Sequence, residues 1–181
     1  VANFNQPFGL QFSGRTQSGN FCAQETMQAD AAEAGAICIN DLLQPEADGF
    51  IEANGITAGT TRYCGVNTGP FRAASAAVIT DHLVIADRNA TFFVQSTVGG
   101  LTQAAVKALA NVTYAAGSAT TRGVSQTVLN AATIDVTATL DLRIRALVPN
   151  VSPGFGGETG AFAWALVTIN KHIDNPEVAG I

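Results

Sequence analysis

The chain has 181 residues, 47% hydrophobic and only 13% charged, with a net charge of −5. That length allows one domain with a substantial core, and the charge content falls well below the roughly 25% of an ordinary soluble domain. Its two lysines and seven arginines are scattered, so no basic stripe of the kind that nucleic acid requires is visible. The acidic balance disfavours anionic membrane surfaces, and no apolar run approaches the roughly 20 residues needed to cross a bilayer.

Low charge has two physical readings. Partners cover part of the surface, as in obligate assemblies, or the domain is coated in the Thr, Ser, Asn and Gln that this chain has in plenty. Cys22, Cys38 and Cys64 cannot all pair within one chain and match no CxxC pattern. They read as small apolar residues with free thiols, suited to a reducing compartment. Val1-Ala2-Asn3-Phe4 has no basic region leading into an apolar run, so no secretory leader is expected.

In chain order, residues 1–19 place Phe4, Pro7-Phe8-Gly9 and Phe12 among polar residues. They predict an extended arm whose aromatics pack on something, either a partner or the arm's own domain, with a single β-rich domain over 20–181. Residues 23–34 have helix-friendly composition but poor helical spacing and are ambiguous. Short strands are expected at Ala34–Asn40, Phe50–Ala53 and Arg62–Val66, separated by Asp48-Gly49, Asn54-Gly55 and Asn67-Thr68-Gly69-Pro70.

His82–Ala86 and Thr91–Thr97 flank Asp87-Arg88-Asn89-Ala90, which reads as a hairpin. Leu101, Ala105, Leu109 and Val112 mark a helical face, predicting a short helix near 101–111 with Thr102 as its cap. From Ile134 to Val148 apolar and polar residues alternate, which predicts one long strand that must twist, bulge or change sheets before Pro149 ends it. Asp141, Arg143 and Arg145 would share its polar face. Ala161–Ile173, with Phe162, Trp164 and Leu166 on one side and Ala163, Ala165, Val167 and Ile169 on the other, reads as a central strand packed on both faces, or packed on one face and against a neighbouring subunit on the other.

Chemistry-bearing motifs are few. The two histidines, His82 and His172, have acids nearby in sequence, but a zinc site needs three or four converging ligands. Gly123-Val124-Ser125-Gln126-Thr127 lacks the second Gly of a nucleophile elbow. Gly154-Phe155-Gly156-Gly157-Glu158-Thr159-Gly160 departs from the dinucleotide fingerprint and leads into a strand. No catalytic residue, cofactor or metal is therefore assigned.

The order of motifs resembles the head decoration, or cement, proteins of tailed bacteriophages. The likeness begins with the aromatic arm around Pro7-Phe8-Gly9. It continues through Ile39-Asn40-Asp41-Leu42, Asp48-Gly49-Phe50-Ile51, Tyr63-Cys64-Gly65-Val66 and Asp87 to Phe93-Val94-Gln95. Gly123-Val124-Ser125 and Leu129 follow, then Leu142-Arg143-Ile144 with Ala146-Leu147-Val148, and lastly Val167-Thr168-Ile169-Asn170-Lys171-His172. Asn40 stands where such proteins commonly have Gly, and Asp87-Arg88-Asn89 replaces a more acidic turn.

The resemblance implies a mainly β, jelly-roll-like sandwich or barrel on the capsid exterior, made in bacterial cytoplasm. It also implies contacts with the major capsid protein and with other copies of the chain, as trimers or dimers. Phe4, Pro7, Phe8, Phe12, Arg143 and Arg145 are the candidate partner-binding residues, the aromatics for contact area and the arginines for charge complementarity. The alternative is a carbohydrate-binding or adhesin-type β-module, which requires an exposed groove lined by Trp or Tyr; the only Trp, Trp164, lies inside an apolar strand. A β-fold enzyme would require His82, His172 and carboxylates to converge in one pocket.

Overall fold

The computed structural model describes residues 7–31, 34–74, 77–115, 117, 119–148, 159 and 161–174. Two five-stranded antiparallel sheets organise them. The first, sheet A, runs in the order β1 (Gln11–Thr16), β7 (Ala90–Gln95), β12 (Trp164–Ile169), β11 (Leu142–Leu147), β8 (Leu109–Ala110). Sheet B runs in the order β2 (Glu25–Ala29), β6 (Thr80–Ile85), β5 (Gly65–Asn67), β3 (Leu42–Pro45), β4 (Ile51–Glu52). A small ribbon pairs β9 (Val112–Thr113) with β10 (Val128–Leu129).

One core joins Phe92, Val94, Leu142, Ile144, Val167 and Ile169 of sheet A to Leu42, Val66 and Ile85 of sheet B. Burying apolar faces of two sheets against each other gives a β-sandwich, so the chain is mainly β, as its alternating patterns predict. Alternation puts neighbouring side chains on opposite faces, and Leu43 and Val84 accordingly join a second cluster with Ala29, Ile37, Ile51 and Cys64. β12 is central, with β7 on one side and β11 on the other; of its two apolar faces, Ala165, Val167 and Ile169 enter the core and Trp164 is covered by Phe8. Among the described residues no helix is long and apolar enough to cross a membrane.

Three local expectations need correction. The segment 101–111 is not an α-helix; it holds a single 3-10 turn, Gln103–Ala105, and then enters β8. Thr102 is at the cap position, but its side chain makes no capping bond. Leu101, Ala105, Leu109 and Val112 are all buried, so the spacing marked burial correctly. Lys107, at φ +76°, breaks the helical path, and its N–H donates to Ile144 O at 2.8 Å.

His82–Ala86 and Thr91–Thr97 do not form a hairpin. β6 pairs with β2 and β5, while β7 pairs with β1 and β12. The Asp87 turn is present, with its carboxylate accepting Asn89 N–H at 2.7 Å and its carbonyl accepting Ala90 N–H at 2.9 Å, but it carries the chain from one sheet to the other. Turn chemistry fixes the reversal and not the partner.

The long strand from 134 to 148 is also broken. A 3-10 turn covers Ala131–Thr133, Asp135 bridges only to Leu109, and the ladder proper starts at Leu142. Asn170 Nδ2 donates to the carbonyls of Ala138 and Leu140 at 2.8 and 3.0 Å, so a side chain satisfies the backbone that a strand would have paired. Asp141 does not share a polar face with the arginines. It is fully buried, and its carboxylate accepts the N–H groups of Gly59 and Val112, each at 3.0 Å.

The weaker strands are shorter than expected: Ile37 and Ile39 form lone bridges, β4 covers two residues and β5 three. The ambiguous 23–34 segment contributes strand β2. Pro149 and, except for Thr159, the Gly154–Gly160 segment lie outside the described residues.

Candidate functional site

The N-terminal segment packs on its own domain wherever it is described. The Phe8 ring lies 5.8 Å from that of Trp164, and Phe12 lies 6.0 Å from Phe92. Phe12 thereby reaches the sandwich core, while Phe8 covers the outward-pointing Trp164, leaving that indole 2% exposed. The Pro7 carbonyl accepts from Gln126 Nε2 at 3.3 Å. Next to it Gly9 sits at φ +69°, where a Cβ would come within 2.4 Å of Asn40 O and 2.5 Å of Ser125 Cβ. Asn40 is itself left-handed, at φ +68°, a conformation that Asn and Gly tolerate best. Phe4 lies outside the described residues.

The two sheets differ in charge. Strands of sheet A carry Arg15, Arg143 and Arg145 and no acid; strands of sheet B carry Glu25, Glu52 and Asp81 and no lysine or arginine, their one basic group being the buried His82. Arg143 and Arg145 project from the outer face of sheet A, away from Leu142 and Ile144 in the core. Ile144 pairs with Val167 while Ala146 pairs with Leu166, so Arg145 is the extra residue of a β-bulge. A bulge re-aims its side chain, and Arg145 Nε donates to Thr168 Oγ1 at 3.0 Å.

Around these residues a cleft of about 260 Å³ is lined by Gln17, Arg88, Arg143, Arg145, Thr168 and Asn170. A second, of about 430 Å³, is lined by Ser13, Arg15, Gln17, Phe93, Arg145 and Leu166, among others. Gln17 and Arg145 belong to both, so the two form one furrow across β1, β7, β12 and β11. Phe93 and Leu166 are register partners at its centre. Ser13 and Thr91 hydroxyls bond across β1 and β7, and Thr91 Oγ1 also donates to Arg15 O at 2.8 Å.

Four of the seven arginines therefore converge, although they are scattered in sequence. Arg88 comes from the inter-sheet turn, where its Nη1 donates to Asp174 O at 3.1 Å. Arg15 lies 5.6 Å from the Phe21 ring centroid. Burial, with the neighbouring charge of Arg143, pushes the Arg145 guanidinium below its usual range. Like charges gathered on a partly dry surface favour an anionic occupant.

The histidines do not line this furrow. Both are 1% exposed; His82 Nε2 meets Thr80 Oγ1 at 3.0 Å, and His172 Nδ1 accepts Asp174 N–H at 3.2 Å. Burial pushes both imidazoles down in pKa. Cys22, Cys38 and Cys64 are free thiols, Cys22 half-buried and the other two buried, with burial raising Cys22 to about 11 and Cys38 and Cys64 to about 12. Among the described residues no three His, Cys, Asp or Glu side chains gather as a metal site would require.

Of the candidates read from sequence, Arg143 and Arg145 come together; Phe8 packs on Trp164 of the same sheet face, Pro7 lies by Gln126, and Phe12 turns into the core. Sequence reasoning missed Arg15, Gln17, Arg88, Phe93, Leu166 and Thr168. The available signal was alternation: Arg143 and Arg145 on one strand face imply that their cross-strand neighbours share that face, but the neighbours depend on sheet order. Compared with known proteins, the chain matches no protein-family model, and no curated protein matches it.

Proposed function

We propose that this chain is a structural virion protein that binds the outside of an assembled phage capsid and stabilises it. The observation that carries the reading is the segregation of charge between the sheets, with the arginines gathered on the outer face of sheet A. Such a face orients a rigid sandwich on a surface of opposite sign and tightens encounter through electrostatic complementarity. A protein that binds the closed shell and not its separated subunits shifts the assembly equilibrium toward the shell, and a lattice supplies many equivalent contacts. The ordered motifs resembling phage decoration proteins supply the shell as the partner.

A carbohydrate platform has less support: Trp164 and Tyr63 are buried and Tyr114 is half-buried, so no aromatic groove of that kind is presented by them. The test is co-sedimentation of the purified chain with phage heads stripped of their decoration protein. Saturable binding, with heads that withstand higher temperature, is expected. Heads that neither bind the chain nor gain heat resistance contradict the proposal.

A further inference from the structure

We infer that the furrow on sheet A is a docking site for an extended polypeptide segment of another protein, acidic at both ends and apolar in the middle. This rests on the reading of the chain as a protein-surface binder and names the chemistry of the partner.

The order of side chains across the sheet carries the inference. Arg15 stands on β1, Phe93 on β7, Leu166 on β12, and Arg143 with Arg145 on β11. Cationic groups therefore lie at both margins, and the half-buried pair Phe93–Leu166 lies between them. Three inter-strand steps separate β1 from β11, about 14 Å at the usual strand spacing. An extended segment of about five residues covers that distance at roughly 3.3 Å per residue. One apolar side chain would sit on Phe93 and Leu166, and flanking carboxylates would reach Arg15 at one margin and Arg143 and Arg145 at the other. Guanidinium groups suit carboxylates because their N–H fork matches two oxygens.

The margin formed by Arg143 and Arg145 is pre-ordered before any partner arrives. Arg145 is held by Thr168 Oγ1, and Arg88 by the carbonyl of Asp174. Fixed arginines lose less freedom on binding. Global charge argues against a nucleic acid. Outside the four arginines of the furrow, five basic residues stand against fourteen acids, a net of −9. A long polyanion would extend past the furrow onto repelling surface, whereas a short acidic segment ends where the arginines end.

The experiment titrates the full chain with three fluorescein-labelled peptides of the patterns Glu-Asp-Leu-Asp-Glu, Glu-Asp-Ser-Asp-Glu and Lys-Lys-Leu-Lys-Lys, and with a ten-nucleotide oligothymidylate. The first peptide should bind, several-fold more tightly than the second, and the third should not. Arg143→Glu/Arg145→Glu should weaken the first peptide by at least about tenfold. Should that variant fail to fold by circular dichroism, Arg143→Gln and Arg15→Gln, each expected to lose about threefold, decide the matter. Equal binding of acidic and basic peptides, or oligothymidylate binding as tightly as the acidic peptide, would overturn the inference. So would concentration-dependent self-association that the charge reversal abolishes while the peptide fails to bind, since the occupant would then be a second copy. If the peptide does not bind but stripped heads still do, the docking chemistry is wrong and the decoration reading stands; if the peptide binds and heads do not, the reverse holds.

Discussion

Arg145 and Thr168 are joined across β11 and β12, Nε to Oγ1 at 3.0 Å, while Thr168 stands in register with Arg143. One hydroxyl thus fixes the second arginine beside the first. Thr168→Val keeps the shape and removes the acceptor. It should cost about 1 kcal/mol of stability, the usual net worth of such a bond, and lower acidic-peptide affinity several-fold by freeing Arg145. Denaturant unfolding and peptide titration check the two effects; an unchanged affinity means the tether does not organise the furrow.

Phe8 shields the only Trp of the chain, so intrinsic emission reports directly on the N-terminal segment. Phe8→Ala should shift Trp164 emission to longer wavelength and cost about 1–2 kcal/mol through lost apolar burial and ring contact. Gly9→Ala should destabilise more, because φ +69° and the approach to Asn40 O both oppose a Cβ. Emission unchanged in Phe8→Ala would mean that this contact does not protect the indole.

Asp141 closes the interior beside Lys171, whose Nζ donates to Gly59 O at 2.9 Å. Asp141→Ala would strand the buried N–H of Val112 and the N–H of Gly59. A loss of about 3 kcal/mol or more is expected from unsatisfied groups and the unbalanced lysine, read by urea unfolding. Asp141→Asn, which keeps one acceptor, should lose less. Equal stabilities for the two variants would contradict the account.

Burial pushes the Asp41 carboxyl up from 3.8 to about 6. Between about pH 4 and 6 the folded chain holds a proton that the unfolded chain releases, so this group's contribution falls as pH rises, by about 3 kcal/mol in all. His82 and His172, pushed down by burial, act the other way: the unfolded chain takes up protons below about 6.5, and stability falls on acidification. Asp41→Asn isolates the first effect, since Asn can still accept Cys38 N–H, now held at 2.7 Å. Unfolding measured from pH 4 to 7.5 should show the variant gaining on the wild type as pH rises. A difference that does not vary with pH contradicts the shift.

Period-two patterns made the sheet architecture legible: Leu142–Leu147 and Trp164–Ile169 are strands, and the latter is central. They could not reveal that Asp141 turns inward, because the two N–H groups it satisfies come from residues 59 and 112. The 101–111 segment shows the same limit. Burial spacing of 3.6 also fits a 3-10 turn followed by a strand when Ile144 O captures Lys107 N–H. Likewise the furrow was half visible, as Arg143 and Arg145, but Arg15 and Arg88 join it only because β6 and β7 separate into different sheets.

In the proposed function, the arginine face of sheet A holds the chain on a partner surface. Co-sedimentation with stripped phage heads, comparing wild type with Arg143→Glu/Arg145→Glu at equal and verified folding, tests it most directly. Saturable wild-type binding that weakens as salt rises is expected, with at least about a tenfold loss in the variant. Binding of the variant with wild-type affinity would contradict it.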